Sequence, residues 1–300
     1  MRRLPWSLCV VFWCAPALAC INAIGTDREG RRFEPMEYTG EELVVSLSPP
    51  EDRAARAYRA EREREVIAAA RKSPDLRTLT DLGIVLLRRG RHADAVRLFV
   101  EIERLYPGRY QTAANLGTAL ELLGRDATAL RWIRIGMRRN RDAHEGTEWL
   151  HARILEAKLA LQRDPSHLAM RSVAGVTFAP VALPDLPTVY PAGNDGRPVA
   201  PDQLNLAFTY QLAERLDFVK PEDPIVADLV EDWATLHLAG GSVETADALY
   251  RLALRYGAAP TPLLRRRQAK AREILAVDRG AGDGECPICR HLEPPPPPQR

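Results

Sequence analysis

The chain has 300 residues, with hydrophobic residues at 46% and aromatics at only 6%. Arg2 and Arg3 lie in a leader read below as removable, and residues 1–19 hold no acid, so the 42 basic residues fall to 40 against 40 acidic. A balance of zero argues against a nucleic-acid partner, which calls for a basic excess. An apolar content built on alanine and leucine suits close-packed helices.

In chain order, Arg2 and Arg3 precede a mostly apolar run from Leu4 to Leu18, and Ala17-Leu18-Ala19 supplies small residues before a cut. This is the layout of a secretory signal over 1–19. The run is too short to cross a bilayer, which takes about 20 apolar residues. Ala17-Leu18-Ala19-Cys20 resembles the lipobox of bacterial lipoproteins, although Ala17 stands where leucine is favoured. The resemblance implies acylation of Cys20, contact with a membrane through that lipid, and an exported, periplasmic protein. Ile21 after the cysteine implies the outer membrane. A multiply acylated cysteine anchors stably, at about 0.8 kcal/mol per buried methylene.

Residues 20–50 read as an extended amino-terminal segment, with a turn at Asp27-Arg28-Glu29-Gly30 and a strand over Leu43 to Leu47. Helical patterning fills 51–171. It opens with an Ala/Arg/Glu-rich helix from about Glu51 to Arg71. Two stretches then repeat at a spacing of 34 residues: Leu82-Gly83 recurs as Leu116-Gly117, Leu86 as Leu120, Gly90 as Gly124, Ala95 as Ala129, and Phe99 as Ile133. Such a period marks stacked units, each too small to bury its own apolar face. A third helix over about Glu145 to Gln162 reads as half of a decayed repeat, with Leu150 in register and His151 where the glycine would stand.

Six prolines make 172–202 a proline-rich linker or strap, with Val176-Thr177-Phe178 a candidate strand. Helices resume over 203–278. There Ala234, Gly241, Ala246, Tyr250 and Ala253 keep the spacings of Gly83, Gly90, Ala95, Phe99 and Ile102. Arg265, Arg266, Arg267, Lys270 and Arg272 give the last helix a basic, solvated face. Residues 279–300 form a tail ending in Pro294 to Pro298, expected to be extended polyproline.

The 34-residue pattern resembles the tetratricopeptide repeat. The resemblance implies an all-α, right-handed stack of helical hairpins, with short extended or strand segments near the amino terminus and in the middle. It also implies that the second, fifth, ninth and twelfth residues of each first helix line a concave surface. These are Arg77, Thr80, Ile84 and Leu87 in one repeat, and Gln111, Ala114, Thr118 and Glu121 in the next. Asn115, sixth in its repeat, stands where some members grip a carboxyl-terminal peptide, yet Thr80 and Ile84 replace the accompanying lysine and asparagine. A buried amide bonded to backbone is the plainer reading of Asn115. The expected function is a non-enzymatic scaffold of the bacterial cell envelope, with a protein or peptide partner.

Chemistry-bearing patterns are sparse. Cys286 and Cys289 have the spacing of a disulfide exchanger, with His291 two residues on, but no strand-to-helix unit surrounds them. A small surface disulfide is the plainer reading, and redox or metal work through this pair is the alternative function. His144, Glu148 and His151 share a helix face and read as a salt-bridged polar cluster. No nucleophile elbow or phosphate loop occurs, and no catalytic residue, cofactor or metal site is expected.

Overall fold

A computed structural model describes residues 24–35, 38–49, 52–277 and 283–289. The expected signal over 1–19, Cys20, His291 and Pro294 to Pro298 lie outside the described residues. Among the described residues are eleven α-helices and one two-stranded antiparallel sheet, β1 (Gly25–Thr26) with β2 (Arg32–Phe33). None of these helices is long and apolar enough to cross a membrane.

The two repeats form matching hairpins: α3 (Leu76–Arg88) with α4 (His92–Leu105), and α5 (Tyr110–Leu122) with α6 (Asp126–Arg139). Asp75 and Thr78 form a capping box at the start of α3. The first helix of each pair ends the same way. Gly90 and Gly124 take φ of 70° and 75°. The amide after each glycine donates to the carbonyl five residues back, Arg91 to Leu86 at 2.9 Å and Arg125 to Leu120 at 2.8 Å. The pairs are also closed by the same contact. A Cβ on Gly83 would stand 2.4 Å from Phe99 Cζ, and one on Gly117 would stand 2.4 Å from Ile133 Cδ1. Phe99 and Ile133 are both fully buried, beside Ala95 and Ala129. Their helices therefore share one orientation, and the chain is a stack of helical-repeat type.

Helix α7 (Glu148–Leu161) adds the next layer. Its Ala152 and Leu155 face the repeat core, whereas Trp149, Leu150 and Ile154 face a second core. That second core is built from α8 (Pro201–Phe218), α9 (Pro224–Gly240), α10 (Val243–Arg255) and α11 (Pro262–Leu275). In the α9–α10 pair Ala234, Ala246 and Tyr250 are fully buried, as their counterparts' spacing predicts, but Gly241 has φ of −129° and does not make the turn of Gly90 and Gly124. Helix α2 (Arg53–Lys72) packs against α3 near its own carboxyl end, where Ala70 is buried and Glu63 pairs with Arg89 at 2.7 Å.

Several expectations are corrected. Residues 43–47 are not a strand: they lie in helix α1 (Gly40–Leu47), with Glu41 and Glu42 in its first turn. Alternation and helical periodicity are hard to separate in so short an apolar run. Here Leu43, Val44 and Leu47 share the face that α10 covers, and tertiary burial decides. The amino-terminal segment is thus not merely extended. It joins the second core, and Gly40 donates its amide to Thr245 Oγ1 at 2.9 Å.

Val176 to Phe178 form no strand either, and the middle of the chain contributes only an isolated bridge between Ala192 and Pro198. The segment after α7 is a strap fastened by side chains. Arg153 Nε donates to Val173 O at 3.0 Å, Asp228 accepts from Val173 N at 2.8 Å, and Asp232 accepts from Ser172 Oγ at 2.5 Å. Burial pushes Asp228 up to about 7, and it raises Asp232 well above the carboxylate range with Asp228 adding to the rise. Arg267, read as part of a solvated face, is instead buried and donates to Ala179 O and Val181 O of the strap. Its long side chain reaches two carbonyls of one strap turn, which pins the strap to α11 and gives the buried charge its acceptors.

Candidate functional site

The residues assigned to one concave surface divide between two hollows, with Leu87 beside Ile84 in the first. Ile84, Asn115, Thr118 and Glu121 line a hollow of about 230 Å³. Arg77, Thr80 and Gln111 line another of about 610 Å³, beside Tyr106. Ala114 is buried in the wall of α5, and Asn115 is half-buried at the first hollow and not a fully buried amide.

The first hollow is not an open trough, because the end of α8 closes one side of it. Gln211, Glu214, Arg215 and Phe218 join the lining, and Phe218 packs against the repeat core. Asp217 approaches Arg88 of α3 at 3.7 Å, both half-exposed, so this pair contributes little to stability.

The pin between stack and crossing helix is a buried charge network. Glu121 of α5 accepts from Arg215 Nη2 at 2.7 Å, from Lys158 Nζ at 3.1 Å and bonds His151 Nε2 at 2.7 Å. His151 Nδ1 stands 3.4 Å from Glu148 Oε1, and Glu148 in turn bonds His144 Nδ1. Lys158 also pairs with Asp126 at 2.8 Å. Burial alone would raise both carboxyls. Arg215, His151 and Lys158 overcome it and hold Glu121 well below the usual carboxylate range, and His144 with His151 bring Glu148 down to about 2. Burial alone would lower His151, but Glu121 and Glu148 lift it to about 9. Tyr210, stacked on His144 at 5.2 Å, is pushed up to about 12 by its burial and by Glu214.

The turn that delivers His144 is strained. His144 and Glu145 have φ of 51° and 55°, a left-handed conformation that costs non-glycine residues on the order of 1–3 kcal/mol each. Thr147 Oγ1 donates to His144 O at 2.7 Å and closes the turn onto α7.

His151 and Glu148 fix how stability follows pH. His151 holds its proton more tightly when folded, so its contribution is complete below its ordinary 6.5 and is lost as pH rises through about 9. Glu148 behaves oppositely: its contribution is complete above 4.5 and is lost as pH falls through about 2. The pair contributes most between 4.5 and 6.5. We expect the denaturation free energy to drop by a few kcal/mol, roughly, from pH 6 to pH 9, and the drop to shrink in His151→Gln. An equal drop in both proteins would assign it to other groups.

The spacing of His144, Glu148 and His151 revealed their shared face, and the structure extends that face to Glu121, Lys158 and Arg215. Nothing in the sequence marked Arg215, which lies 94 residues from Glu121 and on a helix the repeat pattern does not cover. Cys286 and Cys289 are joined as a disulfide. It is not a loose surface loop: Cys286 and Ile288 are buried in the second core. Among the described residues no group of three His, Cys, Asp or Glu has the geometry to hold a metal ion. A scan against protein-family profiles and a search of curated proteins return no match to this chain.

Proposed function

We propose that this chain is a tetratricopeptide-like, non-enzymatic adaptor of the bacterial cell envelope, exported and held at the outer membrane through an acylated Cys20. The observation that carries this reading is the pair of hairpins closed by the same contact, Gly83 on Phe99 and Gly117 on Ile133, with α3 beside α5. Ile84, Asn115 and Thr118 then face a hollow with both apolar wall and amide groups, chemistry that suits one or two residues of an extended peptide. A scaffold rigid before binding loses little entropy on capture.

Affinity capture from envelope extract tests the reading. The full-length protein should retain a partner that an Asn115→Ala/Thr118→Ala double variant, with unchanged thermal stability, releases at least about tenfold more readily. Equal retention by both proteins overturns the groove assignment. Mass spectrometry of the mature amino terminus tests the anchor separately, since an unmodified Cys20 rules the lipid out.

A further inference from the structure

The disulfide loop over 284–289 is docked rather than free, and it meets the β1–β2 hairpin. Gly284 N donates to Arg32 O at 3.2 Å, and Glu285 N donates to Asp27 Oδ2 at 3.3 Å. Asp27 is itself buried and organises the hairpin turn, accepting from Glu29 N at 3.0 Å and Arg31 N at 2.8 Å. The hairpin is further tied to α10 by Thr26 N, which donates to Glu244 Oε2 at 2.9 Å.

Ile288, at the far side of the loop, fills a slot between α8 and α9. Its amide donates to Gly240 O at 3.4 Å, and its carbonyl accepts from Asn205 Nδ2 at 3.3 Å. Asn205 is fixed by Trp233 Nε1 at 2.7 Å. The slot exists because Gly241 has no side chain: a Cβ there would stand 2.6 Å from Ile288 Cδ1 and 2.5 Å from His237 Nδ1. The closed state carries a cost beneath this plug. His237 is buried with neither ring nitrogen hydrogen-bonded, and burial pushes it down to about 3. An unpartnered buried polar group costs roughly 1–3 kcal/mol, which opening would relieve. Two anchored ends, one side chain in a slot and one covalent closure hold this element in its docked arrangement.

We propose that the Cys286–Cys289 loop is a thiol-released latch, holding the amino-terminal hairpin and covering the His237 slot while oxidised and letting go of both on reduction. Cys289 is half-buried and Cys286 buried, so Cys289 Sγ is the sulfur that an incoming thiolate meets. Attack by one sulfur of a dithiol forms a mixed disulfide with Cys289 and expels Cys286 as a thiolate, which takes a proton. The second sulfur of the dithiol then displaces Cys289, leaving two protein thiols and an oxidised dithiol. Opening the ring removes the restraint that presents Ile288 to its slot.

The test is amide hydrogen exchange on the full-length oxidised protein before and after dithiothreitol, with complete reduction verified by thiol titration. Amides of 284–289 and 26–33 should exchange about tenfold faster after reduction, with α5 unchanged. His237, protected from diethylpyrocarbonate in the oxidised protein, should become reactive. A Cys286→Ser/Cys289→Ser variant should match the reduced protein, and Ile288→Ala should do so with its disulfide intact. Retained protection of 284–289 after full reduction overturns the proposal. So does an equal loss in α5, which would make the disulfide a staple for the whole fold.

Discussion

Glu121→Ala lowers the unfolding free energy by about 3–5 kcal/mol. The magnitude follows from what the substitution leaves behind. Arg215 and His151 lose their shared carboxylate while remaining buried, and Lys158 keeps only Asp126. Stranding buried charge costs more than the pair itself contributes, because water cannot replace the lost partner. Glu121→Gln keeps the volume and one acceptor and should fall between wild type and alanine. Denaturant titration of the three proteins measures this order. Exchange at the amides of 210–219 should rise before that of α10, since Arg215 is the buried charged link between α8 and the stack. A loss below about 1 kcal/mol would show that water screens the network and that apolar packing holds α8.

Gly83→Leu is the second large effect, about 1–3 kcal/mol or more through overpacking. A Cβ at that position meets the Phe99 ring at 2.4 Å, and Phe99 is fully buried with no open side to turn toward. Gly117→Leu meets the Cδ1 end of Ile133, a branched chain with another rotamer to adopt, so it should cost less. Pairing Gly83→Ala with Phe99→Leu should recover part of the Gly83→Ala loss, because the two changes act on one contact. Thermal melts of the single and double variants give the coupling. Independent, additive losses would mean that the α3–α4 approach is not set by this pair.

The repeat region was legible because its constraints are local and recur. Gly83 with Phe99, Gly90 at the turn and Ala95 beside them lie within one unit, and a second copy at fixed spacing separates signal from coincidence. The α9–α10 pair was legible for the same reason. What escaped depends on contacts between distant elements. Leu43 to Leu47 are compatible with strand or helix until α10 supplies the covering face. Arg267 looks like its exposed neighbours Arg265 and Arg266 until the strap's carbonyls are placed over it. The division of the groove escaped because periodicity gives directions around a helix and is silent on which later helix crosses it. The three residues His144, Glu148 and His151 were grouped by spacing, but Glu121 and Arg215 come from other layers.

The seating of α1 and the hairpin on α10 has a consequence for the order of events during synthesis. Thr26 finds Glu244 across 218 positions, Gly40 finds Thr245 across 205, and Glu285 reaches Asp27 across 258. The repeats between them can close on neighbours as they emerge, whereas the segment carrying Thr26 and Gly40 has no seat until Glu244 and Thr245 have been made. Closing so long a loop is a late and slow step. Until then Leu43, Val44 and Leu47 lack the apolar partner that buries them.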